Sequence, residues 1–318
     1  MATIPIHKPE SGSAPEKVTR KALAADHPTW CPGCGDFAVL SAFFKTLEKL
    51  NIPQEQICVV AGIGCSSRLP YFVNTHGVHF IHGRSVPFAT GVSLARPDLQ
   101  VVVFGGDGDG FSIGGNHLDH AARKNVNLTY IILDNSVYGL TKKQTSPTSP
   151  IGYRSTTDPW GSGDEPVNPM RKLVASGATF VARTHAAQIQ HMSEMFERAM
   201  KHPGFSAVEV LSECVVFFKG AFDAANPRRG GQFVTIEEKR GGEDRDPKGG
   251  GGGGHEVSNR QAALHLCDEP WPGRFGVYYQ SSRSTKNDVE KKLVESAQKG
   301  AGKTTAIGLL AASFEKMR

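Results

Sequence analysis

The sequence predicts an α/β fold, a doubly wound parallel sheet with a C-terminal arm, and three observations carry that expectation. Short β-rich runs alternate with stretches of helical periodicity, the rhythm of parallel strands joined by crossover helices. A glycine-rich turn, Gly105-Gly106-Asp107-Gly108-Asp109-Gly110, directly follows one of those runs. Of the 318 residues, 39% are hydrophobic, enough for one large or two small cores.

Residues 1–26 are polar and proline-containing, and they lack the apolar stretch of about 7 to 15 residues that a signal peptide needs. They are read as a leader. Phe37, Leu40, Phe44, Leu47 and Leu50 then fall at the three-four spacing of a buried helix face over 36–50, with Asp36 at the N-cap position. The alternation continues with a strand at Ile57–Ala61, a helix around Val86–Ala95, a strand at Gln100–Phe104, a helix at Ile113–Arg123 and a strand at Leu128–Leu133. A loop rich in Ser, Thr, Pro and Gly runs from about Thr145 to Val167. Helices near Pro169–Ala175 and Ala186–Lys201 follow, then a strand at Ser206–Leu211. Residues 27–225 thus form one domain. Beyond Asn226 the composition turns to Gly, Arg and acidic residues, with a glycine run from Gly249 to Gly254 that holds no core. Residues 226–318 are therefore a linker and arm, with a strand within 274–281 and an amphipathic helix within 288–298. Such an arm is expected to pack on a partner chain or a neighbouring surface.

The charge balance, 36 Lys and Arg against 31 Asp and Glu, gives a net +5 spread evenly along the chain. Nucleic-acid binding calls for a concentrated basic stripe, so that partner is set aside. No apolar run approaches the ~20 residues that span a bilayer. The expectation is a cytoplasmic chain without membrane contact, where the six cysteines stay reduced and act as ligands or core residues.

The stretch from Val101 to Gly139 reads strand, glycine-rich turn, helix, strand, turn. In an open parallel sheet the turns at the carboxyl ends of strands bind ligands, so Asp107 and Asn135 should emerge side by side. A carboxylate and an amide oxygen suit a hard cation such as Mg2+, which commonly bridges to phosphates. Gly106, Gly108 and Gly110 let backbone N–H groups approach a diphosphate. The dinucleotide alternative fails on register. Reading G-x-G-x-x-G from Gly106 puts Phe111 at the third glycine, and from Gly105 puts Asp107 at the second.

Gly106-Asp107-Gly108 followed by Asp134-Asn135 resembles the thiamine diphosphate motif. That resemblance implies Mg2+ held by Asp107, the Asn135 side chain and the Val137 carbonyl. The family usually has Asn-Asn at the end of the motif; here Asp134 stands first.

Among the cysteines, Cys31 and Cys34 form a Cys-x-x-Cys pair, while Cys65 and Cys214 stand alone. Four thiolates suit a four-iron four-sulfur cluster. A zinc ribbon would normally show a second close pair, which makes zinc the weaker reading. Trp30-Cys31-Pro32-Gly33-Cys34-Gly35, Gly64-Cys65-Ser66, His82-Gly83-Arg84, Gly106-Asp107-Gly108-Asp109 and Tyr138-Gly139-Leu140-Thr141 together resemble the β subunit of 2-oxoacid:ferredoxin oxidoreductases, over residues 27 to 220. The wording of GIGCSSRLPYF, IHGRSVPFATGVSLARPDL and GGNHLDHAARKN is most similar to the 2-oxoglutarate-type members.

The resemblance implies one four-iron four-sulfur cluster on Cys31, Cys34, Cys65 and Cys214, close to thiamine diphosphate. It implies oxidation of a 2-oxoacid, with coenzyme A taking the acyl group and ferredoxin the electrons. The cofactor contacts would come from Gly64, Cys65, Ser66, His82, Gly83, Arg84, Gly106, Asp107, Gly108, Asp109, Asn135, Val137, Gly139, Leu140 and Thr141. Arg68 is the catalytic candidate, since a guanidinium grips a carboxylate in two-pronged geometry. His117 and His120 are read as hydrogen-bonded packing residues. This chain has one doubly wound domain, so the glutamate that activates the pyrimidine end would come from an α subunit, in an (αβ)2 assembly. Cys58 and Cys267 match nothing in the family and are read as packing thiols. Lys143 departs from the family's Thr-Lys-Gly-Gln stretch.

Two other readings remain beside this one. In the first, the chain is a non-catalytic iron-sulfur electron carrier. In the second, Ala297 through Gly302-Lys303-Thr304 is a relaxed phosphate-binding loop; it follows a helical stretch, where that mechanism needs a strand.

Overall fold

The computed structural model describes residues 17–239 and 254–301. The described strands are β1 Ile57–Ala61, β2 His76–His79, β3 Gln100–Gly106, β4 Leu128–Asp134, β5 Phe180–His185, β6 Phe205–Leu211 and β7 Gly276–Gln280. They form one sheet in the order β2-β1-β3-β4-β6-β5-β7, parallel throughout except for β7, which runs antiparallel along β5. The helices are α1 Arg20–Leu23, α2 Asp36–Leu50, α3 Ser85–Ala95, α4 Gly115–Lys124, α5 Pro169–Ala175, α6 Ile189–Lys201, α7 Arg260–Cys267 and α8 Lys286–Ala301.

Alternation along the strands explains why helices cover both faces. Val59, Ala61, Val102, Phe104, Ile131, Leu133, Val208 and Val210 point to one side, where they pack with α2 and α6. Cys58, Val60, Val101, Val103, Tyr130, Ile132 and Ala207 point to the other, against α3, α4, α5 and α7. A strand buried on both faces must be apolar at every position, and β1 and β4 are buried along their whole length. β2 is short and largely exposed because it is the sheet's edge.

The sequence reading passed over β5, whose Phe-Val-Ala-Arg-Thr-His carries polar side chains. All six residues are nonetheless buried, because Arg183 donates to Glu209 in register on β6. Asp36 is not the N-cap of α2. Gly35 takes that position, while the Asp36 carboxylate is buried and accepts a 2.8 Å bond from Ser212 Oγ at the end of β6. α4 starts at Gly115 rather than Ile113, since Gly108–Ile113 forms a wide π turn before it.

The described part of the arm packs against its own chain, one of the two surfaces expected for it. β7 closes the β5 edge, α7 buries Ala263 and Cys267 against the α5 side of the sheet, and the Asn287 side chain donates to the Ser93 carbonyl at 2.8 Å. Cys58 and Cys267 are buried thiols in that same apolar layer. Residues 1–16, Gly249–Gly253 and the Gly302-Lys303-Thr304 triplet lie outside the described residues. Among the described residues no helix is long and apolar enough to cross a membrane.

From β1 the chain steps outward to β2 and then returns to the other side of β1 as β3. That reversal opens a crevice at the carboxyl ends of β1 and β3, the place where open parallel sheets bind ligands.

Candidate functional site

The turn leaving β3 places Asp107 at the head of the crevice, and β4 ends beside it with Asp134-Asn135, since Gly106 and Leu133 are in register. A cavity of about 290 Å3 sits there. Its walls include Gly64, Cys65, Ser66, His82, Gly106, Asp107, Gly108, Asp109, Asn135, Val137, Gly139, Leu140 and Thr141. The structure thus brings most of the sequence-nominated contacts to one hollow.

Besides Cys31, Cys34 and Cys214, three nominated residues lie outside this lining. Arg68 lines a neighbouring depression of about 450 Å3, which meets the first cavity at Ile63, Gly64 and Leu140. Arg84 donates to the Gly83 and Ile113 carbonyls at 3.3 and 3.1 Å. Gly83 is buried under Ile113. It has φ +68, and a Cβ there would stand 2.4 Å from Ile113 Cγ2, so only glycine makes this turn. The sequence reading missed Ile63 and Tyr138, which also line the cavity. The Tyr138 hydroxyl donates to the Gly108 carbonyl at 3.3 Å, and a Cβ on Gly108 would lie 2.1 Å from the Tyr138 ring. The Tyr-Gly-Leu-Thr wording was the only available signal for that contact.

The donor set at the crevice head is all oxygen. Asp107 and Asp134 are both buried, and Thr148 Oγ1 lies 2.8 Å from Asp107 Oδ2 and 2.8 Å from Asp134 Oδ1. One hydroxyl proton serves one carboxylate at a time. Burial pushes the Asp107 carboxyl above its ordinary range, and the Ser146 and Thr148 hydroxyls only partly offset that. Burial does the same to Asp134, with Asp107 and Glu209 adding to it. Asp107, the Asn135 amide oxygen and the Val137 carbonyl are oxygen donors whose chemistry fits Mg2+. Asp134 accepts from the Ser136 N–H at 2.8 Å and the Ser136 hydroxyl at 3.1 Å, work that suits an acceptor-only carboxylate at this departure from the motif.

The sulfur side adjoins this wall. Cys31-Pro32-Gly33-Cys34 is a turn closed by a 3.0 Å bond from Cys34 N–H to the Cys31 carbonyl. Trp30 Nε1 donates to the Cys65 carbonyl at 2.7 Å, fastening that turn to the loop after β1. Cys214 follows β6. A Cβ on Gly139 would stand 3.3 Å from Cys214 Sγ and 4.0 Å from Cys65 Sγ, so Gly139 lies beside Cys214, while Cys65 is itself part of the cavity wall. Burial, then the Asp36 charge and the neighbouring thiols, pushes Cys34 upward. Burial, Asp36, Cys214 and Cys31 push Cys65 up to about 12. Two thiols so placed hold their protons unless a metal displaces them. Among the described residues no three His, Cys, Asp or Glu side chains are gathered tightly enough to hold a single metal ion.

Comparison with known proteins places this geometry. Residues 62–210 match the thiamine pyrophosphate enzyme, C-terminal TPP-binding domain. The 2-oxoglutarate synthase subunit KorB of Methanocaldococcus jannaschii is 43% identical over 189 residues, 59% of this chain and 70% of that protein. A chain of the 2-oxoglutarate:ferredoxin oxidoreductase from Magnetococcus marinus, a structure with 2-oxoglutarate, coenzyme A and succinyl-CoA bound, superposes with a TM-score of 0.81 at 37% identity. That match covers 93% of this chain and 96% of the other. The chain belongs to the β-subunit family of 2-oxoacid:ferredoxin oxidoreductases. Another member, 2-oxoglutarate oxidoreductase subunit KorB of Mycobacterium tuberculosis, is 45% identical over 212 residues, 67% of this chain. The match spans 57% of that relative's length, and 59% of the β subunit of 2-oxoacid:ferredoxin oxidoreductase 1 from Aeropyrum pernix. The residues matched by that family model, 62–210, include every residue that lines the cavity at the β1/β3 crevice.

Proposed function

We propose that this chain is the β subunit of a thiamine diphosphate-dependent 2-oxoglutarate:ferredoxin oxidoreductase, interconverting 2-oxoglutarate, CoA and oxidised ferredoxin with succinyl-CoA, CO2 and reduced ferredoxin. The observation that carries this reading is the shared wall. Cys65 and Gly139 both line the cavity that Asp107 and Asn135 head, and a Cβ added at Gly139 would stand 3.3 Å from Cys214 Sγ and 4.0 Å from Cys65 Sγ. A cofactor in the hollow and a cluster on the thiols would be close enough to exchange single electrons.

Thiamine diphosphate supplies carbanion chemistry at a 2-oxo carbon that no side chain offers. This chain's residues do the rest in the proposal. Asp107, Asn135 and the Val137 carbonyl would hold Mg2+, which would offset the charge of the diphosphate. Gly106 and Gly108 let the backbone approach, with Tyr138 bracing the loop at Gly108. Cys31, Cys34, Cys65 and Cys214 hold one four-iron four-sulfur cluster. Arg68, on the adjoining depression, is placed to meet a substrate carboxylate arriving across Ile63 and Leu140.

An α subunit completes the site by supplying the pyrimidine-binding domain and its glutamate. The cavity's surroundings support a covering partner: Ile63, Ile81, Ile113 and Leu140 are exposed apolar side chains in the loops around it, and Ile81 is 65% exposed. The assembly we propose is (αβ)2, working in the cytoplasm on the reductive side of the tricarboxylic acid cycle. The names of several relatives say only 2-oxoacid, which favours pyruvate or another 2-oxoacid as the alternative substrate.

The test is anaerobic purification with the α subunit, followed by cofactor analysis and viologen reduction with a panel of oxoacids. About four iron and four sulfide per chain with bound thiamine diphosphate, and CoA-dependent reduction by 2-oxoglutarate, are expected. Zinc without sulfide or thiamine would overturn the reading.

A further inference from the structure

Asp109 is 2% exposed, yet its carboxylate gathers donors from two other turns. Its Oδ1 accepts from the Ile63 N–H at 3.0 Å and the Gly83 N–H at 2.7 Å, and it stands 3.0 Å from His82 Nδ1. Ser85 Oγ lies 3.4 Å from Oδ2. Ile63 belongs to the turn after β1, His82 and Gly83 to the turn between β2 and α3, and Asp109 itself to the turn after β3. One oxygen atom therefore ties together three of the turns around the cavity.

The bond to His82 also fixes chemistry. A carboxylate oxygen that already accepts two N–H groups takes a third donor, so Nδ1 carries the ring proton. Nε2 is then the free atom, with no hydrogen bond among the described residues, on a ring that lines the cavity and meets Tyr138 edge-on at 6.1 Å. The His82 side chain is 34% exposed, whereas Asp107 is 2% exposed. His82 is thus the more solvent-exposed of these two cavity-lining residues.

We propose that Asp109 is a positioning residue: it locks the His82 ring with Nδ1–H inward and presents Nε2 to the oxoacid at the reacting end of the cavity. This rests on the function proposed above for what occupies the cavity, but the state of the ring does not. A histidine whose far nitrogen is held by a carboxylate keeps one tautomer and one orientation, as in metal-bound and catalytic histidines elsewhere.

The first measurement is the ring 15N spectrum of the full chain without cofactor, with the His82 signals assigned by their absence in His82→Asn. A protonated Nδ1, hydrogen-bonded to Asp109, is expected. An unprotonated Nδ1 would overturn the proposal whatever the chain's function. Asp109→Asn keeps the accepting oxygen and should keep this tautomer, while Asp109→Ala should lose it. If Asp109→Ala does not fold, the other two variants decide.

The second measurement uses the αβ complex. Asn places its amide N–H where Nδ1–H stood, so His82→Asn keeps the Asp109 bond and removes only the cavity-facing nitrogen. It should leave thiamine diphosphate affinity within about twofold and lower kcat/KM for the oxoacid at least about tenfold. Asp109→Ala should lower kcat/KM for the oxoacid as well, and Asp109→Asn, which keeps the accepting oxygen, should recover most of that loss. A wild-type kcat/KM in His82→Asn, or an equal loss in its cofactor affinity, would overturn the role at the oxoacid. Failure of the wild-type complex to bind thiamine diphosphate would instead sink the function proposed above.

Discussion

The oxygen side and the sulfur side of this crevice are assembled in opposite ways. At the oxygen side, Asp107, Asp134, Ser136 and Thr148 already bond to one another, and Asp109 fastens the adjoining turns. At the sulfur side the thiols are held by their backbones: a Cys31–Cys34 turn, a Trp30 bond to the Cys65 carbonyl, and the end of β6 before Cys214. The difference follows from chemistry. Buried carboxylates demand donors even before a cation arrives, whereas thiols are weak hydrogen-bonding groups and wait as small apolar side chains. A metal at the first site would add to an existing network, while a cluster at the second would supply most of the bonding itself.

That contrast can be broken by variants that touch one side only, and the largest effect is expected at the sulfur side. Cys214→Ser removes one of four proposed ligands and should abolish cluster occupancy and viologen reduction, while thiamine diphosphate still binds; iron and sulfide analysis reads it. Full iron and sulfide in that variant would show that Cys214 is not a ligand. Asp107→Ala should do the reverse, losing Mg2+ and thiamine diphosphate while iron is retained. Loss of both cofactors together would mean that the two sides are one cooperative unit.

Gly108→Ala is a smaller perturbation of the oxygen side. The added methyl would lie 2.1 Å from the Tyr138 ring, and overpacking of this kind costs ~1–3 kcal/mol. If the loop passes that cost to the cofactor, affinity for thiamine diphosphate falls about tenfold or more with iron unchanged, as calorimetry can show. An unchanged affinity would mean that the Tyr138 ring moves freely.

The smallest effect concerns Asp36, under the thiols. Burial raises its carboxyl to about 6 against an ordinary 3.8, with the Ser212 and Cys34 bonds opposing the rise. A carboxyl whose folded value is raised favours the fold when protonated, so its contribution is fully present below about 4 and is lost as pH climbs through about 6. Asp36→Asn should therefore stabilise the metal-free chain above pH 6 by up to roughly 3 kcal/mol, with the gain vanishing near pH 4. Chemical denaturation of both proteins across that range checks it. A constant difference at all pH values would place the effect in the Ser212 hydrogen bond instead.

Much of the fold was legible because strands buried on both faces announce themselves as continuous apolar runs: β1, β3 and β4 were read within a residue or two of where they lie. β2 was passed over because an exposed edge of four residues, two of them histidine, carries no apolar signature. β5 was passed over because the partner that makes Arg183 tolerable in the core, Glu209, lies on another strand. Most of the nominated cavity residues were legible for a similar reason. Gly106-Asp107-Gly108 and Asp134-Asn135 are local motifs at strand ends, and strand ends in a parallel sheet share one edge.

By itself the sequence determined the class of sheet, the carboxylate and amide at its carboxyl edge, and which cysteines are available as ligands. Those properties depend on periodicity and on residues close together in the chain. Only the tertiary structure decided that Asp36 is a buried acid rather than a helix cap, that Arg84 turns away to carbonyls, that the arm closes the β5 edge, and that Asp109 holds His82. Each of these depends on a partner far away in the chain, and the strength of a buried charge or hydrogen bond is set by what folding brings beside it.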